Sequence, residues 1–138
     1  MKRILAVLLL VFFSVALSAC VPGLGTRSRV PATGEFVKGK VAPGFPENLP
    51  LPEGAETIES YGSSEAFGAS FISGQDPARV VNFYSSALPR LGWDSTLNKQ
   101  SERNYEFAIR DDTYVGVVIV NTASDGKKTA ITIAVESR

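Results

Sequence analysis

The sequence predicts an α+β fold for residues 49–138: a single antiparallel sheet of about five or six strands with one helix packed on one face, in the order β-β-α-β-β-β-β. Three observations predict it. Short apolar-alternating runs recur through this part of the chain, separated by turn residues. A single stretch has helical spacing, from Val80 to Leu91. It falls after two strand-like runs and before four, so the sheet must form around it by antiparallel pairing.

The elements follow in order. Leu49-Pro50-Leu51-Pro52-Glu53-Gly54 is an extended lead-in and turn, because each proline fixes its own φ and holds the preceding residue out of helix. Ala55 to Tyr61 is a first, weak strand and Tyr61 to Glu65 its turn. Ala66 to Ser73 is a better strand, with Phe67, Ala69 and Phe71 alternating against Ala66, Gly68 and Ser70. Asp76 then caps a helix that has Pro77 at its first position, and Val80, Phe83, Tyr84, Ala87, Leu88 and Leu91 fall on one face. Gly92 supplies a left-handed stop, with Trp93 folding back onto Leu88 as a Schellman end requires. Pro89 lacks the amide that would bond to the Ser85 carbonyl, so a distorted last turn is expected.

Strands follow at Trp93 to Leu97 and at Arg103 to Ile109, the latter with Tyr105, Phe107 and Ile109 on one side. Asp111-Asp112 makes a turn. Tyr114 to Val120 is apolar on both faces, as an interior strand is, apart from Gly116, where a neighbour approaches closely. Asp125-Gly126 turns the chain back into Thr129 to Val135, with Ile131, Ile133 and Val135 inward.

The start of the chain has a different design. Lys2 and Arg3 precede an apolar run from Ile4 to Phe13, and Ser14 to Ala19 are smaller and more polar before Cys20, which is an export signal over residues 1–19. The segment Leu17-Ser18-Ala19-Cys20 resembles the bacterial lipobox. That resemblance implies cleavage ahead of Cys20, a lipid on its thiol and often a further acyl chain on the freed amine. One acyl chain binds a bilayer only reversibly, so two or three on Cys20 make a stable anchor. The implied location is the cell envelope, outside the cytoplasm. Val21 stands where enteric-type families place the aspartate that retains a lipoprotein at the inner membrane, so in a host with two membranes the outer one is expected. The run Asp76-Pro77 through Phe83-Tyr84, Leu88 and Gly92-Trp93, after Pro52 to Gly54, looks like a module of uncharacterised bacterial lipoproteins and other exported proteins. It covers roughly residues 45 to 138, and implies a fold and a setting but no catalytic residues.

Residues 20–48 read as a lipid-anchored tether, because prolines 22, 31, 43 and 46 with glycines 23, 25, 34, 39 and 44 leave no apolar period. The net charge of zero hides a dipolar arrangement: Val21 to Gly44 carries four basic residues against one acidic, Phe45 to Arg138 eight basic against thirteen acidic.

Chemistry is sparse. The chain has no histidine and one cysteine, which excludes imidazole-based triads, imidazole metal sites and an internal disulfide. Adjacent Asp111 and Asp112 read as turn residues rather than an acid–base or metal pair, and Ser63-Ser64 and Ser85-Ser86 have no histidine to activate them. Lys127-Lys128 reads as protection for strand ends. The reading is therefore of no enzyme, with no catalytic, cofactor-binding or metal residues and lipidation at Cys20 as the one site. The partners expected are the membrane, through that lipid, and an envelope protein or small ligand; the acidic domain argues against nucleic acid. Two functions fit: a binding module using the sheet face away from the helix, which Tyr61, Tyr105 or Tyr114 exposed in one patch would support although they read equally as core and Tyr105 preferentially so, or an assembly component joined through a sheet edge.

Overall fold

The computed structural model of the chain describes residues 34–138. The leader and Cys20 lie outside the described residues. Seven strands and one helix follow in the order β1 (Glu35–Lys38), β2 (Glu56–Gly62), β3 (Ala66–Ser73), α1 (Pro77–Arg90), β4 (Asp94–Ser101), β5 (Asn104–Arg110), β6 (Tyr114–Thr122) and β7 (Thr129–Ser137). The strands form one antiparallel sheet with the spatial order β1-β2-β3-β7-β6-β5-β4. The expectation of an α+β domain with a five- or six-stranded sheet is thereby corrected: this is a seven-stranded sheet carrying a single helix, and most of the regular structure is strand. The added strand, β1, arises within residues 20–48, read from sequence as tether.

The physical reason lies in how much sheet one helix can cover. Seven strands spaced about 4.8 Å apart make a sheet roughly 29 Å wide, whereas a helix with its side chains is about 10 Å across. Helix α1 packs against β4 and β6, on one half of the sheet. The other half is covered by the proline-rich segment ahead of β2: Ala42, Phe45 and Leu49 are buried, and Phe45 meets Phe67 of β3 edge-on at 6.2 Å between ring centroids. Short turns hold this segment, with the Phe45 amide donating to the Ala42 carbonyl and that of Leu49 to Pro46. Proline density signals irregular backbone here, not an unpacked chain.

The helix is made as its sequence dictates. The Asp76 carboxylate accepts the Ala78 amide at 2.8 Å, and Pro77 takes the first turn. At the other end Gly92 adopts φ 88°, the Trp93 amide donates to the Leu88 carbonyl at 3.0 Å and the Gly92 amide to Pro89, which is the Schellman pair. Val80, Val81, Tyr84, Ala87 and Leu88 are buried, while Leu91, expected on the same face, is exposed because it is already the C-cap. The helix runs through Pro89 to Arg90; Ser85, whose carbonyl loses that donor, sits on the exposed side of the helix.

One core lies between the sheet and these two covers. Phe71, Phe107, Ile109, Val118, Val120, Ile131 and Ile133 point into it from the sheet and Trp93 from the helix stop. The β3–β7 pairing, from Ala66↔Glu136 to Ser73↔Thr129, joins the N-terminal strands to the four-stranded meander that follows the helix.

Candidate functional surface

Of the residues singled out for chemistry, Asp111 and Ser63 prove to be turn staples. Asp111 accepts the amides of Thr113 and Tyr114 on Oδ1 at 2.8 and 2.7 Å and the side-chain amide of Asn48 on Oδ2 at 3.0 Å. Partial burial pushes its carboxyl up, but those donors together with the charge of Arg138 outweigh it and hold the group below the usual carboxylate range. Asp112 beside it is exposed, so the two carboxylates are not organised as a pair. Ser63 is buried in the β2–β3 turn, accepting the Glu65 and Ala66 amides, and Ser86 donates to Asn82 one helical turn back. Asp125 accepts the amides of Lys127 and Lys128, which hold its carboxyl low, so Lys127 and Lys128 belong to the β6–β7 turn. The phenol of Tyr84 is buried without a hydrogen-bond partner among the described residues, and burial pushes it far above its ordinary range. It donates and accepts no proton near neutral pH.

The three tyrosines weighed for the open face separate, with Tyr105 going to the core as expected. Tyr105 and Tyr114 are partly buried against the core; only Tyr61 stands on the far side. There the registers align one cross-strand row over the whole sheet: Phe36, Tyr61, Gly68, Ala134, Val117, Ala108 and Thr96. The row is tall at one end and small in the middle. Phe36 and Tyr61 meet with tilted rings at 4.8 Å between centroids, and beside them Gly68 and Ala134 leave a trough of about 510 Å³, walled on its far side by Val115 and Val117. Glu136 is the one charged residue on its wall. Sequence reasoning missed the trough because it depends on registers between strands distant in sequence. The alternation that places Gly68 opposite Phe67 was its only local signal.

A second, polar cleft of about 340 Å³ lies at the other end of the sheet, where Arg103, Lys127 and Lys128 face Asp76 and Glu102. Lys99 pairs with Glu102 at 2.9 Å. With cations and carboxylates mixed in this way the cleft has no strong preference for either sign.

The edges of the sheet differ. β1 is four residues long, whereas β4 presents eight residues, paired only to β5 and exposed at all but Ser95. Among the described residues no helix is long and apolar enough to cross a membrane, and no three metal-ligating side chains converge. Comparison with protein-family models, curated proteins and solved structures finds no match to this chain.

Proposed function

We propose that this chain is a lipid-anchored binding module of the cell envelope, held by lipid on Cys20 and presenting the open face of its sheet to a protein partner. The observation that supports this reading is the apolar trough beside Tyr61, on the face away from the helix. The helix side is filled by a closed core, so the open face is the broad surface left for recognition. Seven strands wide and about eight residues tall, it measures roughly 29 by 26 Å, or about 750 Å², close to the ~800 Å² per partner of a standard protein interface. A small-residue floor admits the side chains of another protein, and an open trough suits them better than an enclosed small molecule.

The test has two arms. Mass spectrometry of the native protein reads the anchor: an unmodified Cys20 or an intact leader refutes it. A photo-crosslinking side chain placed at Ala134 in native envelopes reads the face. A discrete product at this position, absent with the crosslinker at Arg79 and lost on Val117→Glu, is expected; equal labelling from Arg79 refutes the open face as the binding surface.

A second reading is favoured by the bare β4 edge. In it the protein joins an assembly by accepting a strand from another chain along Asp94–Ser101. Thr96→Pro, which blocks that edge, then abolishes assembly while leaving crosslinking from Ala134 unchanged.

A further inference from the structure

Phe36 is 77 % exposed, the most exposed large apolar side chain among the described residues. It lies on the edge strand β1, its ring against Tyr61. Val41, just after β1, and Ile58, on the paired strand β2, are 37 % and 50 % exposed, so three of the seven exposed large apolar side chains come from this one edge. The edge also carries Glu35, Lys38 and Lys40, the usual protection of a solvent-facing strand, so these apolar side chains stand in addition to it. The same edge is where the anchoring segment joins the sheet: Cys20 precedes Phe36 by sixteen residues, at most about 58 Å of extended chain.

We infer that the β1 edge rests on the bilayer that holds the anchor, with Phe36 at the headgroup boundary and Val41 and Ile58 beside it. This rests on the anchored reading of Cys20. A lipid on Cys20 confines the edge to the membrane surface at high effective concentration, so a contact too weak to recruit a free protein is populated once the chain is tethered. Aromatic rings are favoured at that depth, where the ring is partly dehydrated beside polar headgroups. Charge is not the driving force. Lys38 and Lys40 are matched on this edge by Glu35 and Glu59, Glu59 lying directly across from Lys38. The contact is therefore apolar, and it does not require anionic lipid. In this orientation the sheet stands on its β1 edge, leaving the β4 edge farthest from the membrane and the open face accessible from the side.

The full, host-matured chain carrying Phe36→Trp is reconstituted into phosphatidylcholine vesicles with brominated acyl chains. Trp93, 2 % exposed, gives a constant background. The introduced tryptophan is expected to lose roughly half its emission relative to unbrominated vesicles, in zwitterionic and anionic vesicles alike, whereas one introduced by Thr96→Trp on the β4 edge is unchanged. Val41→Trp serves as a second probe with the same expectation. Vesicle flotation separates the two ideas. Protein that co-floats with no quenching at Phe36→Trp or Val41→Trp overturns the edge contact while leaving the anchor intact. Protein that fails to float overturns the anchor and this inference with it. Blue-shifted but unquenched emission identifies a protein cover on the edge and likewise overturns it.

Discussion

The indole Nε1–H of Trp93 donates to the backbone carbonyl of Asn48 at 2.9 Å, across 45 residues of chain. The bond ties the stop of the helix to the segment that covers the other half of the sheet, and the Asn48 side chain continues it to Asp111. Trp93→Phe removes the donor and leaves the Asn48 carbonyl without its partner. A loss of about 1–3 kcal/mol is expected from urea unfolding, against no more than about 0.5 kcal/mol for Leu97→Ala on the exposed edge.

Phe45 tests where the folded unit begins. Buried against Phe67 and continuing through Phe67 to Tyr114, it belongs to a run of edge-on aromatic contacts. Phe45→Ala is expected to cost about 3–5 kcal/mol by the same measurement. A residue in a free tether would cost almost nothing.

Gly116 and Gly68 form a matched pair. A Cβ on Gly116 would meet the carbonyl oxygen of Ala134 and stand 2.7 Å from the Cα of Val135, both backbone atoms of the neighbouring strand, whereas one on Gly68 would find its nearest neighbour at 3.8 Å. Gly116→Ala should lower stability by roughly 1–3 kcal/mol or shift the β6–β7 register; Gly68→Ala should leave the melting temperature nearly unchanged. Amide hydrogen exchange along β6 and β7 distinguishes lost stability from a changed register.

Tyr84→Phe runs against the usual direction. The buried hydroxyl has no partner among the described residues, so its removal relieves a desolvation cost without breaking a bond. The variant is expected to match the parent or exceed it by up to about 1 kcal/mol, as read by thermal unfolding.

Asp111 sets part of the acid limit. Its carboxyl is lower in the folded protein than in the unfolded chain, so the stability it contributes is complete above the unfolded value near pH 4 and is lost as pH falls through the folded one. Asp111→Asn should reduce stability at neutral pH and flatten its decline below about pH 4. Urea midpoints collected across the acid range check both, and an unchanged acid slope would sink the assignment.

Local signals were enough wherever the deciding physics is local. Ala66–Ser73 is a strand with the bounds its alternation predicts, because a period of two needs only neighbouring residues. The helix start at Asp76 and stop at Gly92 follow from capping and a left-handed glycine, both set within one turn. The sheet's width was not legible in this way. β1 shows only two apolar residues, Phe36 and Val37, between Gly34 and Gly39, and its strand state exists because Val37 is buried when it pairs with β2. The trough was hidden for the same reason, since its floor and walls come from β2, β3, β6 and β7.

From Ala55 onward the sequence by itself determined the kinds of element with their main caps and turns, and over the whole chain the lack of histidine, because propensity, capping and composition are properties of short stretches. The tertiary structure alone decided that β7 pairs with β3, that residues 42–49 close the core, and that Phe36, Tyr61, Gly68 and Ala134 share one open row. Those outcomes turn on covering a sheet wider than one helix can reach, a requirement that belongs to the assembled layers and to no single segment.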